Sequence, residues 1–376
     1  CPVRGRGFRL RPHPTARPPG RATPGAIDLS ALRHNLRRAR EAAPASRVLA
    51  AIKANGYGHG LVRVARALAD ADALGVACLK EALELRRADI TTPLVLLEGF
   101  FHASELELIA RHDLQVVVHH VEQINTLEQA NLPRPVTVWL KVDSGMHRLG
   151  FAPDAVDDAW RRLEACMSVA GPVGAITHLA NADERSDPTT TRQLEVFRAA
   201  LQGKPGARSI ANSAGVLGWR ESHADWVRPG IMLYGVSPFV GGRREEEDLR
   251  PVMTLRSELI AVNHIQAGER VGYGGAWTAS QAMKVGVVAV GYGDGYPRHA
   301  PSGTPVLVNG RRAPVVGRVS MDMITVDLRD QPNARVGDPV VLWGEGLAVE
   351  EIAEYAGTIA YELLCGVAGR VEFIEV

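Results

Sequence analysis

The sequence predicts an α/β protein: an N-terminal (β/α)8 TIM-type barrel followed by a mostly β C-terminal domain. Three observations predict it. Eight short apolar runs between residues 48 and 234 alternate with amphipathic segments, the pattern of parallel βα units, and such units close most naturally into a barrel. Near Arg250-Pro251 the alternation gives way to closely spaced apolar runs. No Gly-x-Gly-x-x-Gly turn follows the first run, so an open doubly wound sheet with a dinucleotide site lacks its main support.

Ile27-Asp28-Leu29-Ser30 leads into a helix with Leu32 and Leu36 on one face, Ser30 as its N-cap and Pro44 beyond its end. Strands are expected at Val48–Ile52, Ala73–Leu79, Leu94–Leu97, Leu114–Val118, Val136–Val142, Val173–Thr177, Arg208–Ala211 and Trp226–Tyr234. The segments between them, such as Leu61–Ala69, Val121–Ala130 and Thr189–Leu201, carry helical periodicity. Beyond the charged linker Gly241–Arg250, strands are expected at Met253–His264, Met283–Tyr292, Pro305–Val308, Ala313–Val319, Ile324–Leu328 and Pro339–Trp343. Asn309-Gly310 is a hairpin signal, because both residues accept the positive φ of a type I′ turn. A helix over Val349–Leu364 and a strand over Arg370–Val376 finish the chain. The expected division is a disordered Arg/Pro-rich tail over residues 1–25, a barrel over 26–248 and a β-rich domain over 249–376.

Composition excludes several function classes. Lys and Arg total 43 against 42 Asp and Glu, so no general attraction to nucleic acid or an anionic membrane is expected. No apolar run approaches the ~20 residues that a spanning helix needs. Cys1, Cys78, Cys166 and Cys365 are scattered without paired spacing. That argues against a disulfide framework or a metal site and for a reducing compartment.

In a barrel of this kind the reactive groups sit at the C-terminal strand ends. Lys53 follows the first run and precedes three glycines spaced two apart, Gly56, Gly58 and Gly60. Partial desolvation there lowers a lysine's pKa and makes its nucleophilic form reachable, which suggests Schiff-base chemistry. Lys141, Asp143 and Arg148 close the fifth run, His178 the sixth, Asn212 and Ser213 the seventh, and Arg228-Pro229-Gly230 interrupts the eighth. Singly, each has an ordinary explanation as a cap, a surface residue or a hydrogen-bonded core histidine. Together around one mouth they suggest an anionic, aromatic-compatible ligand. Ser213 at a helix start and the small Gly230 offer donors for a phosphate. A phosphate site, a Schiff-base lysine and an arginine near a ring nitrogen are the protein's share of a pyridoxal phosphate site.

The motifs bearing these residues resemble those of alanine racemases. Ala51-Ile-Lys53-Ala-Asn-Gly-Tyr57-Gly-His-Gly60 is similar to that family's cofactor-lysine signature. Lys141-Val-Asp-Ser-Gly-Met-His-Arg148, Thr177-His178-Leu-Ala-Asn-Ala-Asp183, Ala211-Asn-Ser213, Arg228-Pro-Gly230-Ile231, Val271-Gly-Tyr273-Gly, Gly317-Arg-Val-Ser320-Met321-Asp322 and Tyr361-Glu-Leu-Leu-Cys365 follow in the same order.

The resemblance implies a pyridoxal phosphate enzyme that interconverts L- and D-alanine, supplies D-alanine for peptidoglycan and works in the cytoplasm. Lys53 holds the cofactor as an aldimine and, once freed, is the acid/base on the D-alanine face, with Tyr273 on the L-alanine face. Tyr57, Ser213, the backbone of Gly230 and Ile231, and Tyr361 match the phosphate-binding set. Arg228 pairs with the pyridine nitrogen, and His178 stands between it and Tyr273. Arg148 and Met321 match the contacts to the substrate carboxylate, and Lys141 matches a lysine that many members carry as a carbamate. Tyr273 and Met321 reach the site of a second subunit, which implies a homodimer with shared sites.

One departure is Ser320, where many relatives have cysteine, and it puts strict alanine specificity in question. The barrel mouth offers no evident acidic group for a basic side chain, which favours small substrates. The alternatives are a broader small-amino-acid racemase of the same fold, a pyridoxal phosphate-dependent decarboxylase and a non-catalytic carrier of the cofactor. Arg228 and Tyr273 argue against the decarboxylase, and the full second domain against the carrier.

Overall fold

A computed structural model describes residues 25–376. The tail expected over residues 1–25 therefore lies, but for Gly25, outside the described residues.

Gly25–Ile27 (β1) leads into the helix Leu29–Ala42. The N-cap is Asp28, whose Oδ1 accepts from the amides of Ser30 and Ala31 at 2.8 and 2.9 Å. Ser30, the cap expected from sequence, lies inside the first turn. An aspartate before the helix satisfies two free N–H groups and also meets the positive end of the helix dipole.

The barrel is closed by eight parallel strands paired in chain order. They are Arg47–Ala51 (β2), Ala73–Val76 (β3), Leu94–Leu96 (β4), Leu114–Val118 (β5), Val138–Lys141 (β6), Gly174–Ile176 (β7), Arg208–Ser209 (β8) and Trp226–Val227 (β9). Closure runs through Arg47 opposite Trp226 and Val48 opposite Val227. Several strands are shorter than the apolar runs that announced them. Leu79 opens the helix Leu79–Arg87, and Ile231–Tyr234 forms a buried 3-10 turn. Apolar character there reports burial behind the site, which needs no strand geometry.

Inside the barrel, Leu49, Ala73, Val95, Val117, Trp139 and Ile176 form one apolar cluster. This layer plugs the barrel and gives the cavity above it a floor.

The second region is built on Met253–Ile265 (β10). A ribbon of Arg270–Val271 (β11) and Trp277–Thr278 (β12) follows, then Met283–Val288 (β13), Pro305–Val308 (β14), Arg311–Pro314 (β15), Ile324–Asp327 (β16), Pro339–Trp343 (β17) and Phe373–Glu375 (β18). The sheet runs β15-β14-β17-β10-β1-β18, with β13 joining β10 to β16. The hairpin between β14 and β15 turns on Asn309 and Gly310 at φ 49 and 75°, the type I′ signature. The helix expected over 349–364 is two, Val349–Ala356 and Ala360–Cys365, parted at left-handed Gly357.

β1 belongs to this sheet: Ile27 lies opposite Met253 and, on its other side, opposite Glu375. Ala26 and Ile27 were grouped by sequence with the barrel because they abut its first helix. Their pairing ties the chain's beginning to the region that follows the barrel. Among the described residues no helix is long and apolar enough to cross a membrane.

Candidate active site

Side chains alternate faces along a strand, so two residues beyond each interior plug residue the same face returns. Leu49 is followed by Ala51, Val95 by Leu97, Trp139 by Lys141, Ile176 by His178 and Trp226 by Arg228. These five residues line a cavity of about 400 Å³ at the C-terminal end of the barrel, together with Lys53, Ser213 and Tyr361. The floor is apolar and the walls carry the chemistry.

Lys53 leaves β2 into an unusual turn. Ala54, Asn55, Gly56 and Tyr57 all take left-handed backbone angles, φ 54, 56, 62 and 51°. Each side-chain-bearing residue in that region costs roughly 1–2 kcal/mol, so the turn persists only because it is over-determined. Amides of Gly56, Gly58 and Gly60 bond back to the carbonyls of Ile52, Ala54 and Asn55 at 2.8, 3.0 and 2.9 Å. Asn55 Oδ1 accepts from the Leu61 amide at 2.9 Å, and Glu81 Oε1 from the Ala54 amide at 2.8 Å. Gly58 lets another element close in, since a Cβ there would stand 2.1 Å from the carbonyl oxygen of Leu364. The helix Ala360–Cys365 thus packs on the Lys53 turn and delivers Tyr361.

Arg228 is buried and fully engaged. It donates to Ser209 Oγ at 2.8 Å, to the carbonyls of Thr177 and Ile210, and to His178 Nδ1 at 3.4 Å. Burial draws its pKa down to about 9, which still leaves it protonated at neutral pH. A guanidinium only donates, so His178 Nδ1 is an acceptor and the neutral ring carries its proton on Nε2. Burial first, then the charges of Arg228, Lys141, Arg148 and Lys53, hold His178 well below the usual histidine range.

Lys141 is pulled down to about 8, by burial and then by Arg228, Arg148 and Lys53. Glu98 opposes this shift and stands 3.7 Å from Lys53 Nζ. The sequence reading found no acidic group at this mouth, and Glu98 corrects it. It lies just past the end of β4, a position defined by the same strand-end logic as the others. The run Leu94–Leu97 was read only for its apolar residues, so the carboxylate that ends it passed unnoticed.

At the opposite wall, Ser213 Oγ accepts from the amides of Gly230 and Met232 at 2.8 and 3.3 Å. Both acceptor positions are taken, which leaves the Ser213 hydroxyl proton to donate into the cavity. The Gly230 amide therefore acts on an anion through that hydroxyl, while Ile231 opens a 3-10 turn, where helix geometry supplies no acceptor for its N–H. Helix capping falls to Asn212, whose Oδ1 accepts from Gly215 at 3.0 Å, so Ser213 is free for this role. Gly230 is required by Tyr57: a Cβ there would stand 2.6 Å from the Tyr57 hydroxyl. Tyr57 stacks on Tyr234 with centroids 4.5 Å apart, and Tyr361 lies beside it at 6.1 Å. Burial raises both phenols, Tyr361 to about 12, so they are hydroxyl donors. Three hydroxyls and a turn N-terminus suit a phosphate, and the lysine and arginine at the other end suit an aldehyde and a ring nitrogen.

Arg148 lines the same cavity. Tyr273 and Met321 do not: they are 71% and 54% exposed on the β-rich region, away from their own chain's cavity. Met321 nevertheless sits in a fixed loop. Arg370 donates to its carbonyl at 3.3 Å and pairs with Asp294 and Asp322 at 2.7 and 2.8 Å. The amide of Gly293 donates to the same carbonyl at 2.8 Å.

Comparison with known proteins gives the family. Models of the alanine racemase N-terminal and C-terminal domains match residues 27–238 and 252–375. An alanine racemase of Shewanella piezotolerans is 56% identical over 92% of this chain and 96% of its own length. A biosynthetic alanine racemase of Escherichia coli is also 56% identical, with the same coverage of both chains. The crystal structure of the biosynthetic alanine racemase from Pseudomonas aeruginosa superposes with a TM-score of 0.92 at 48% identity, covering 95% of this chain and 99% of that one. With both domains matched and relatives this similar along nearly their whole length, the chain belongs to the alanine racemase family.

Proposed function

We propose that this chain interconverts L- and D-alanine, with pyridoxal phosphate held in the barrel cavity and catalytic groups drawn from both subunits of a cytoplasmic homodimer. The observation that carries the reading is one cavity that brings together a strand-end lysine, a buried arginine bonded to a histidine, and a cluster of hydroxyl donors. The relatives named as alanine racemases support the substrate.

Bound pyridoxal phosphate supplies an electron sink for the pair left on the α-carbon when its proton is removed. Lys53 holds the cofactor's aldehyde carbon, and Tyr57, Ser213, Ile231 and Tyr361 hold its phosphate. Arg228 would hold the ring nitrogen, and because a guanidinium keeps its own protons it would leave the bound cofactor a moderate electron sink. Removing a proton from one face and returning it to the other needs two groups. Lys53 serves the D-alanine face and Tyr273 of the partner subunit the L-alanine face. Tyrosines ordinarily titrate near ~10, and His178 Nε2–H, aligned by Arg228, is the donor that stabilises the phenolate. Arg148 and the partner subunit's Met321 backbone hold the substrate carboxylate. The lowered pKa of Lys141, about 8, brings its neutral amine within reach, and that form can take up carbon dioxide as a carbamate and release a proton, giving Arg148 an anionic partner. The barrel over 26–248 is thus the cofactor domain, and 249–376 contributes Tyr273 and Met321 to a neighbour. D-Alanine made this way feeds peptidoglycan.

Ser320 favours one second reading, a racemase that also accepts other small amino acids. Polarimetry on L-alanine and L-serine, with the visible absorbance of the purified protein, separates the possibilities. Colour with loss of rotation on L-alanine is the expected result. Colour without loss of rotation indicates a carrier, and carbon dioxide release a decarboxylase. Mixing inactive Lys53→Ala and Tyr273→Phe chains tests the sharing of sites. Activity at about a quarter of sites is expected from random pairing in a symmetric dimer, and none refutes it.

A further inference from the structure

His59 is fully buried, lines no part of the cavity, and has no task in the reaction above. Its Nδ1 lies 2.8 Å from the Tyr57 carbonyl oxygen and 3.1 Å from that of Gly56. Both partners only accept, so Nδ1 carries the ring proton and donates to both. Nε2 is then a lone pair, and among the described residues it has no hydrogen-bond partner. The ring also lies against Tyr234 at 4.7 Å, and Tyr234 in turn stacks on Tyr57.

The two carbonyls belong to the left-handed turn that begins at the residue after Lys53 and ends at Tyr57. In that conformation the carbonyls of Gly56 and Tyr57 converge on one point, and His59 Nδ1 occupies it. A run of left-handed residues that includes an alanine and a tyrosine relaxes unless something fixes it. Its relaxation would swing Lys53 and Tyr57, which stand at its two ends, away from the cavity.

We propose that His59 is a positioning residue: by bridging two carbonyls it holds the left-handed turn and so sets where Lys53 Nζ and the Tyr57 hydroxyl point. The role in catalysis rests on reading the cavity as a pyridoxal phosphate site, whereas the clamp itself does not. The side-chain geometry provides the test. The amide of asparagine reaches the place of Nδ1, and that of glutamine reaches the place of Nε2. His59→Asn therefore keeps the bridge, and His59→Gln and His59→Leu lose it.

Two measurements on the full-length protein decide the matter. Hydrogen–deuterium exchange of the peptide over residues 53–60, without cofactor, is expected to be about tenfold faster in His59→Gln and His59→Leu, as loss of about one net hydrogen bond implies. In His59→Asn it should stay within about threefold of wild type. Titration with pyridoxal phosphate, followed by visible absorbance, should show the same order, with about tenfold weaker binding in the first two variants. Wild-type exchange in His59→Gln overturns the clamp. Faster exchange with unchanged cofactor affinity overturns the positioning role. Should the glutamine and leucine chains not fold, a loosened turn in folded His59→Asn overturns the proposal and a native-like one supports it. A wild-type chain that takes up no pyridoxal phosphate refutes the proposed function, and the exchange result still judges the clamp.

Discussion

Replacing Lys141 by methionine should stabilise the cofactor-free protein at neutral pH and flatten its pH dependence. Lys141 shares the cavity with Arg148, Lys53 and Arg228, and its pKa falls from 10.5 to about 8, through burial first and these charges second. Below pH 8 the amine is protonated in both the folded and the unfolded chain, so the penalty of holding it is felt in full. Between pH 8 and 10.5 the unfolded chain still binds a proton that the folded chain has released, and stability rises with pH. Above that window both forms are neutral and the penalty is gone. A fall of this size corresponds to about 3 kcal/mol, of which about 2 kcal/mol is recovered between pH 7 and about pH 9.5. Urea denaturation in buffers free of carbon dioxide, at fixed protein concentration, measures it. The difference between wild type and Lys141→Met reports this group together with its coupling to Arg228, Arg148, Lys53 and His178, because titrating residues remote from it contribute equally to both. Parallel stability curves for the two proteins across that range would refute the argument. If bicarbonate then restores stability at pH 7 to wild type alone, with an added carbon dioxide in the intact mass, the carbamate is established as well.

Three further expectations follow from the same geometry. Arg228→Glu puts a carboxylate where the ring nitrogen is held, so transamination should rise relative to racemisation of alanine, and an unchanged product ratio contradicts the proposed pairing. Arg370→Ala removes the ion pair to fully buried Asp294 and should cost roughly 1–3 kcal/mol, and by freeing the Met321 loop it should raise the KM for alanine; Arg370→Ala with Asp294→Asn should recover most of the stability but not the KM, and recovery of both would dissociate Arg370 from the Met321 loop. Gly230→Ala drives a methyl into the Tyr57 hydroxyl, 2.6 Å away, and should weaken cofactor binding; adding Tyr57→Phe should relieve the clash, and equal binding by Gly230→Ala and wild type would show that the cradle is not tight.

Much of the site was legible because a barrel strand reads out its own geometry. Once Trp139, Ile176 and Trp226 are recognised as interior plug residues, the period of two places Lys141, His178 and Arg228 on the same wall above them. Strand lengths were less legible. Apolar runs such as Trp226–Tyr234 mark burial, and burial continued after the strand had ended in a 3-10 turn. The pairing of β1 with β10 and β18 could not be read locally, since the partners lie more than two hundred residues apart in sequence. The left-handed turn was announced by its glycines but not by Ala54 or Tyr57, whose conformations are fixed by the Ala54 amide donating to Glu81, the Leu61 amide donating to Asn55 and His59 donating to the Tyr57 carbonyl.

The oddest positions in the chain are Tyr273 and Met321, large apolar side chains exposed on a rigid frame. Single exposed hydrophobics need no explanation, but these two are held differently from ordinary surface residues. Tyr273 rides the tip of the β11–β12 ribbon with Gly272 and Gly274 on either side, and Met321 is fixed through Arg370, Asp294 and Asp322. Meanwhile the cavity that Lys53 enters is lined by groups of its own chain, and Tyr273 is not among them. A racemase needs two bases, and in the proposed mechanism the exposed Tyr273 is the second, offered to a partner subunit. In a two-fold dimer each chain gives what it receives. On the proposed reading the cavity and the exposed tyrosine are the two halves of one site, and a monomer, though fully folded, should not racemise alanine; full activity from a monomeric variant would refute it.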